Sequence, residues 1–385
     1  GLNVDDLELA TIPVTRFQVR TGRSQGGVSV RLVPGDPQSV VIRFLDAEGL
    51  DIDEGAQRKI ERLYYREDYR RVLAPEIGDI GFPPRALEFY TAALIESVDV
   101  DAIRGARFKL VLDYAYGSTS FVMPNVLAKL GTDVLAVNPY ASTAGAVSFN
   151  PQSHAAGVAD LVRAAGAHVG AVLDPDGERI KLIDDTGHVL SDDEAMFAVL
   201  NLVLATQSAP AVALPASIPR AAEALCRDVG ASLEWTKLSP SHLMEVAASG
   251  GPTFAASQDG GFIFPAFLPA FDAVVTLVDV MAMLAVTGLR LSKLVAGTPR
   301  FHIAHETVVT PWEQKGLVMR TLVEQSKDQD LLLVDGVKVL YDDGWALVLP
   351  DPEDPVTHVW AEADGARDAT TRAQDYARRI RQMLR

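Results

Sequence analysis

The chain has 385 residues, of which 48% are hydrophobic and 22% are charged. This is ordinary globular usage, which excludes disorder and fibrous repeats, and the length predicts two to four domains with separate cores. The formal net charge of −16 repels phosphate backbones and anionic lipid headgroups. We therefore expect a soluble protein with neither a nucleic-acid partner nor a membrane partner.

Cysteine usage and hydropathy both predict a cytoplasmic protein. The one cysteine, Cys226, has no partner for an internal disulfide, and its setting in AEALCRD predicts a buried, inert thiol on a helix rather than a nucleophile. The most apolar stretch, 271–289, is interrupted by Asp272 and Asp279. Charges at bilayer depth are costly, so this stretch predicts a buried helix rather than a membrane span.

The pattern of strands and helices divides the chain into four blocks. In the first block, 1–82, VSVRLV and SVVIRFLDA alternate as strands do around the turn PGDP. The second block, 83–188, has a strand, a helix and a strand in KLVLDY, FVMPNVLAKLG and DVLAVN, which predicts a parallel sheet. The third block, 189–297, repeats this design, and the fourth block, 298–385, is α+β in character.

Three stretches, KLVLDYAYGSTS, LDPDGERI and DGVKVLYDDGWALV, occur in the order and spacing of a known family. Together with TIPVTRF and EWTK, they resemble the phosphomannomutase/phosphoglucomutase (α-D-phosphohexomutase) superfamily along essentially the whole chain. The chain is most similar to the mutase-like half of bacterial proteins whose other half resembles a mannose-1-phosphate guanylyltransferase. This resemblance implies an α/β protein with repeated three-layer α/β/α domains and a C-terminal α+β domain.

The same resemblance implies that the four blocks correspond to the four domains of the family, each with one active-site loop. The first block would be domain I, incomplete at its N-terminus, with a degenerate serine loop. The second block would be domain II with a loop similar to the family's metal loop. The third and fourth blocks would be domains III and IV, with a degenerate sugar loop and a degenerate phosphate loop.

The metal loop of the family reads Asp-Gly-Asp-x-Asp-Arg, and here it falls on Asp174, Asp176, Glu178 and Arg179. Alternating carboxylates supply the hard oxygen ligands that Mg²⁺ prefers, and the arginine neutralises nearby phosphate, so Arg179 is a candidate catalytic residue. The resemblance therefore implies Mg²⁺ as a cofactor. The alternative is that Pro-Asp-Gly between two apolar runs forms a turn that needs no metal.

The serine loop of the family, Thr-Ala-Ser-His-Asn-Pro, falls on residues 32–37, where Pro34 replaces the serine that carries phosphate. Proline has no hydroxyl group. Ser29 and Ser39 are the nearest substitutes, but one lies in a predicted strand and the other follows the turn. We therefore expect no phosphorylated serine in this loop.

The sugar loop and the phosphate loop also differ from the family pattern. In the sugar loop, the glutamate of the family pattern is absent. Gln258 and Asp259 stand in this loop and could bind a polyol, although the Asp-Gly-Gly turn needs no ligand. In the phosphate loop, 349–355, three prolines remove amide donors and Asp351, Glu353 and Asp354 add negative charge. We therefore expect this loop to repel a sugar phosphate.

Two smaller features leave alternatives open. His302 and His305 form a His-x-x-His pair, but in a strand this spacing directs the two rings to opposite faces, so the two are not expected to chelate a metal. Gly117 and Ser118 follow the strand KLVLDY and could either bind an anion or cap a helix.

These replacements lead to two hypotheses about function. The first is a catalytically degenerate mutase fold that acts as a structural or regulatory module in sugar-nucleotide metabolism, possibly that of GDP-mannose. The alternative is an active Mg²⁺-dependent phosphohexomutase that interconverts hexose 1-phosphate and hexose 6-phosphate, an isomerase. The chain begins in what resembles the interior of a domain, so a sugar-nucleotidyltransferase domain on its N-terminal side is the predicted partner.

Overall fold

The structure is a computed structural model that describes residues 1–33, 35–67, 70–352 and 354–384. The strands are β1 (Val4–Asp5), β2 (Gly27–Val33), β3 (Asp36–Leu45), β4 (Ile80–Gly81), β5 (Lys109–Asp113), β6 (Asp133–Val137), β7 (Val169–Leu173), β8 (Ile180–Ile183), β9 (Ala211–Pro215), β10 (Ser232–Thr236), β11 (Phe254–Ala256), β12 (Phe262–Ile263), β13 (His302–Val309), β14 (Leu331–Leu332), β15 (Val337–Tyr341), β16 (Gly344–Pro350) and β17 (Val356–Ala363).

Helices connect most of these strands. The α-helices are α1 (Ile12–Gly22), α2 (Glu54–Arg66), α3 (Ala86–Glu96), α4 (Val100–Ala106), α5 (Met123–Leu130), α6 (Thr143–Val147), α7 (Pro151–Ala165), α8 (Asp192–Thr206), α9 (Ala221–Asp228), α10 (Pro240–Ala248), α11 (Ala273–Thr287), α12 (Leu291–Ala296), α13 (Trp312–Gln325) and α14 (Ala366–Met383). Short 3₁₀ helices lie at Ala74–Glu76 and Ser118–Phe121.

The second block contains a sheet in the order β6-β5-β7-β8, in which β5 pairs in parallel with both β6 and β7, and β8 returns antiparallel. Both faces of β5 are buried, because Leu110 and Leu112 pack on one side and Val111 packs against helix α7 on the other. A continuous apolar run is typical of such a doubly covered strand. The parallel pairing predicted from KLVLDY and DVLAVN is confirmed.

The third block repeats this arrangement in the order β10-β9-β11-β12, again with two parallel pairings and a final antiparallel strand. Helix α10 packs on the face that carries Ala213 and Ala255, and helices α8 and α11 share the core on the face that carries Val212 and Leu214. The prediction that one design is used twice is therefore confirmed, as is the α/β fold class.

The fourth block is an antiparallel sheet in the order β13-β17-β16-β15-β14. Its core contains Val308, Val348 and Val359 on one face, together with Leu322 of α13 and Tyr376 of α14. The predicted α+β character of this block is confirmed. The boundaries between the four blocks stay sequence predictions.

Helix α11 lies in the buried stretch that the sequence singled out. It begins after Asp272, whose carboxylate accepts hydrogen bonds from the amides of Val274 (2.9 Å) and Val275 (3.0 Å) and from the hydroxyl of Tyr90 (2.6 Å). The predicted buried helix is confirmed. Among the described residues, the structure contains no helix that combines the length and the apolar character needed to span a bilayer.

The first block contains the antiparallel hairpin β2-β3, and β1 pairs in parallel with β4. Helix α1 begins at a Thr11 cap, whose hydroxyl accepts a hydrogen bond from the amide of Val14 at 3.2 Å. The Phe17 ring of this helix lies 5.5 Å from the rings of both Tyr90 and Phe267. The first block is thereby packed against the second and third blocks.

Candidate functional site

A cleft of about 1330 Å³ lies between the hairpin β2-β3 and the ends of the strands in the second block. It is lined by Arg31 from β2, by Tyr116 from the loop after β5, by Ser142 from the loop after β6 and by Asp176 from the loop after β7. Open α/β sheets bind ligands beside the carboxyl ends of their parallel strands. This cleft is therefore the candidate functional site.

The loop 174–179, predicted as the metal loop, is a tight turn braced by its first carboxylate. Oδ1 of Asp174 accepts hydrogen bonds from the amides of Glu178 (2.8 Å) and Arg179 (3.0 Å). Gly177 has φ +77°, a left-handed conformation that favours glycine in this turn. Burial raises the pKa of Asp174 to about 6. The Asp174 carboxylate is therefore engaged with its own backbone.

The other two predicted magnesium ligands pair with arginines of the first block. Asp176 forms an ion pair with Arg31 of β2. Glu178 accepts from Nη1 of Arg43 of β3 at 2.6 Å, and from Nη2 of Arg16 of α1 at 3.0 Å. Burial by itself would raise the pKa of Glu178, but the nearby guanidinium groups outweigh it and lower this pKa.

Arg16 carries the pairing further into the first block. Its side chain is fully buried, and Nη2 lies 2.7 Å from Oδ1 of Asp51 while Nη1 donates to the carbonyl of Gly49 at 2.9 Å. We call Arg16, Arg31 and Arg43, with Asp51, Asp176 and Glu178, the arginine cluster. It contains equal numbers of positive and negative side chains, so the acids of the loop are neutralised without an added cation.

This arrangement differs from the magnesium site expected at Asp174, Asp176 and Glu178, which stays a prediction. The sequence prediction took the alternation of the three carboxylates as convergence on one point. In the structure they are directed to different partners, and the described part of the chain contains no group of three His, Cys, Asp or Glu side chains that could hold a metal ion. Because Mg²⁺ requires oxygen ligands arranged around it in a near-octahedral geometry, the loop does not fit the ion in this arrangement.

Arg179, the candidate catalytic residue, joins the second block to the third. Its Nε donates to Oδ2 of Asp259 at 2.8 Å, and its guanidinium carbon lies 4.0 Å from the centre of the Phe271 ring. Backbone hydrogen bonding continues the junction, because the amide of Ile180 donates to the carbonyl of Gly260 at 3.0 Å. Arg179 therefore holds two loops together in this structure.

The two predicted sugar-binding residues both have protein partners. The amide group of Gln258 accepts from Oγ of Ser217 at 2.5 Å and donates to Oδ1 of Asp193 at 3.3 Å. Asp259 accepts from Arg179 and from the hydroxyl of Ser257. Burial by itself would raise the pKa of Asp259. The charge of Arg179 and the hydrogen bonds to the carboxylate together outweigh burial, so this pKa lies below its usual value. Both polar groups brace the loop.

The predicted serine position, Pro34, lies outside the described residues, as does Glu353. Of the substitute serines, Ser29 lies within β2, where it pairs in register with Arg43. Ser39 lies within β3 and is exposed, and its hydroxyl donates to Oδ2 of Asp36 at 2.5 Å. Both serines therefore belong to the hairpin strands.

The predicted phosphate loop directs its polar groups inward. Nζ of Lys315 donates to the carbonyls of Asp351 (2.6 Å) and Asp354 (2.5 Å). The amide of Asp354 donates to Oδ1 of Asp351 at 2.7 Å, and the amide of Val356 donates to the carbonyl of Asp354 at 2.8 Å. The ammonium group and these amides are thereby occupied within the loop.

No sequence pattern singled out the functional roles of Arg16, Arg31, Arg43 and Asp51. The signal available for two of them was a single arginine at an interior position of each predicted strand, VSVRLV and SVVIRFL.

The thiol of Cys226 is buried as predicted, and this burial raises its pKa to about 11.

The fold and the cleft define a multi-block α/β protein with a candidate ligand site at the ends of parallel strands. Residues 88–187 match the family model of phosphoglucomutase/phosphomannomutase, alpha/beta/alpha domain II. A solved structure of a phosphoglucomutase/phosphomannomutase family protein from Burkholderia thailandensis superimposes with a TM-score of 0.80 at 19% identity, covering 99% of this chain and 82% of that one.

Curated relatives match nearly the whole chain. A phosphoglucomutase/phosphomannomutase from Thermococcus kodakarensis is 24% identical over 96% of this chain and 81% of the relative. A probable phosphoglucosamine mutase from Methanopyrus kandleri is 26% identical over 100% of this chain and 86% of the relative. The matched domain and these relatives make the chain similar to the α-D-phosphohexomutase superfamily, and the superimposed structure shows the fold.

Proposed function

We propose that this chain is a catalytically degenerate phosphohexomutase fold that serves as a structural or regulatory module in carbohydrate metabolism, within sugar-nucleotide supply. The observation that carries this proposal is the arginine cluster. Phosphoryl transfer in this fold requires a nucleophile, a cation and a phosphate site that act together. Here Asp176 and Glu178 are already paired with Arg31, Arg43 and Arg16.

The other loops support the same proposal. Position 34 is proline, which cannot carry a phosphoryl group. Lys315 is held by carbonyls of the 349–355 loop, which also contains acidic side chains, so a dianion would meet repulsion there. A sugar phosphate is therefore a doubtful ligand, and we propose that the working partner is a sugar-nucleotidyltransferase domain, to which the fold offers a rigid support.

A magnesium titration tests the role of the arginine cluster. We expect the thermal midpoint of the unmodified chain to be the same in Mg²⁺ as in EDTA, because ligands that bind only the folded state raise the midpoint. A variant with Arg31→Gln and Arg43→Gln frees Asp176 and leaves Glu178 paired with Arg16 alone, so its midpoint should rise with Mg²⁺. The control is Arg378→Gln, since Arg378 pairs with the nearby Asp375 on the surface of α14.

The alternative is an active Mg²⁺-dependent phosphohexomutase, which the names of the curated relatives favour. Incubation with glucose 1,6-bisphosphate and Mg²⁺, followed by intact-mass measurement, decides between the two. We expect no added mass. One phosphoryl group per chain, together with a magnesium-dependent rise in the midpoint of the unmodified chain, would replace the degenerate module with the active mutase.

A further inference from the structure

Two histidines and a tryptophan form a stack at the β13 edge of the sheet in the fourth block. His305 lies on β13 opposite Trp360 of β17, and His358 lies two residues before Trp360. The ring centres of His305 and Trp360 are 4.8 Å apart, and both rings lie 5.1 Å from that of His358. His305 is exposed and His358 is half-buried. The stack holds the imidazole planes in place while leaving one ring open to solvent.

A chain of hydrogen bonds links the two imidazoles to a carboxylate. Nε2 of His358 lies 3.0 Å from Oδ2 of Asp351, and Nδ1 of His358 lies 3.0 Å from Nε2 of His305. A carboxylate accepts but does not donate when ionised, so Nε2 of His358 carries the proton and Nδ1 presents a lone pair. The His305 Nε2–H then donates to that lone pair.

We propose that His305 and His358 form a chelating site for one divalent transition-metal ion of the Cu²⁺, Ni²⁺ or Zn²⁺ type. Nitrogen ligands lie about 2.0–2.1 Å from such an ion, which puts two neighbouring nitrogens about 2.9 Å apart at a right angle and about 3.4 Å apart at a tetrahedral angle. The observed separation of 3.0 Å between Nδ1 of His358 and Nε2 of His305 falls within this range.

Binding requires a change of tautomer at His305 and a tilt of the two rings, which turns both nitrogen lone pairs toward the ion. Its proton moves from Nε2 to Nδ1 through solvent, the Nε2 lone pair becomes available, and the metal replaces the hydrogen bond between the rings. Burial and the neighbouring His358 lower the pKa of His305, which favours the neutral form of this ring.

Asp351 completes the site as a positioning residue for His358. Metal-bound histidines usually donate their second ring N–H to a carboxylate, which fixes the tautomer and raises ligand basicity. Asp351 is itself held by the amide of Asp354, which donates to Oδ1 at 2.7 Å. No third His, Cys, Asp or Glu ligand stands close enough within the described ranges, so water fills the remaining positions. Imidazole ligands without carboxylates favour Cu²⁺ over Mg²⁺.

Titration of the metal-stripped chain with Cu²⁺ tests the site, with nitrogen hyperfine splitting in the electron paramagnetic resonance spectrum as the signature. We expect one ion per chain with two imidazole nitrogens. His305→Phe keeps an aromatic ring on Trp360 and removes a ligand, so affinity should fall at least tenfold. His302→Phe is the matched control, because His302 lies on the same strand with an exposed side chain.

Asp351→Asn should weaken binding about tenfold while leaving the two-nitrogen spectrum intact, since the carboxylate orients His358 without touching the ion. Thermal unfolding of every variant without metal checks that the fold is kept. Equal affinity in the unmodified chain and in His305→Phe would overturn the proposal, and so would an equal loss in His302→Phe. These outcomes are independent of the arginine cluster, because the site lies wholly in the fourth block.

Discussion

Two junctions between blocks of this chain each bury a basic side chain, and they neutralise it in different ways. At the arginine cluster, the fully buried Arg16 lies between the carboxylates of Asp51 and Glu178. At the junction of the third and fourth blocks, Lys338 of β15 is 2% exposed, and its Nζ donates to the carbonyl of Ala216 at 2.7 Å.

The surroundings of Lys338 are mainly aromatic. Its Nζ lies 4.5 Å from the ring centre of Trp235 and 4.4 Å from that of Trp345. Ring faces attract a cation, but they carry no net charge and replace hydration only partly. Burial therefore lowers the pKa of Lys338 to about 8, although Glu362 and Glu223 oppose this effect.

The comparison shows that a buried cation can be held either by matched charge or by its own ability to lose a proton. A guanidinium cannot deprotonate in a protein, so Arg16 depends on its carboxylates. An ammonium group can deprotonate when it is desolvated, so Lys338 depends on pH. Variants at the two junctions should therefore differ both in size of effect and in pH dependence.

We expect Glu178→Gln to cause the largest loss in free energy of unfolding. This change leaves Arg16 and Arg43 with one fewer counter-charge in a buried setting, and removing one partner of a buried ion pair costs about 3–5 kcal/mol. Urea unfolding at pH 7 measures the loss in free energy of unfolding. A loss below about 1 kcal/mol would mean that the arginine cluster is solvated and does not hold the first block in place.

Lys338 is expected to make a smaller contribution to the free energy of unfolding, and this contribution should depend on pH. The folded-state pKa of about 8 lies below the usual value for lysine, so between pH 8 and pH 10 the unfolded chain binds a proton that the folded chain has released. The contribution of Lys338 to the free energy of unfolding should therefore rise across this window, by at most about 1.4 kcal/mol per pH unit, whereas the raised pKa of Cys226 acts in the opposite direction.

Lys338→Met tests this dependence, because methionine fills similar space without a charge. The free energy of unfolding of the unmodified chain, minus that of this variant, should rise from pH 8 to pH 10, whereas the difference from Glu178→Gln should stay constant. An unchanged pH profile in Lys338→Met would show that another group titrates in this window.

The smallest effect is expected for Arg378→Gln. Arg378 and Asp375 form an exposed ion pair on α14 with Nη1 and Oδ1 2.9 Å apart. Exposed pairs of this kind contribute about 0.3–0.5 kcal/mol, and salt screens them. Urea unfolding should show a change within about 0.5 kcal/mol. A loss comparable with that of Glu178→Gln would remove the distinction between buried and surface charge in this chain.

The hairpin β2-β3 shows a feature that the sequence did not predict, namely which face of a strand is buried. Alternation in VSVRLV predicted a strand but did not say which face would be buried. In the structure Val30 is 64% exposed, whereas the side chain of Arg31 is 25% exposed. The usual preference for burying the apolar side chain rather than the charged one is inverted, because Arg31 and Arg43 face the acids of the 174–179 loop. Those acids lie more than 100 residues away in the chain, and Glu178 is 135 residues from Arg43.

Local patterns in the sequence were sufficient for the parallel strands of the second and third blocks, the buried helix α11 and the tight turn at Gly177. Apolar periodicity and turn chemistry act over a few residues, so they can be read directly. The use of Asp174, Asp176, Glu178, Gln258 and Asp259 was decided only by the tertiary structure. A carboxylate or amide presents the same atoms to a metal, an arginine or a backbone amide, and only folding brings one of these partners within hydrogen-bond distance.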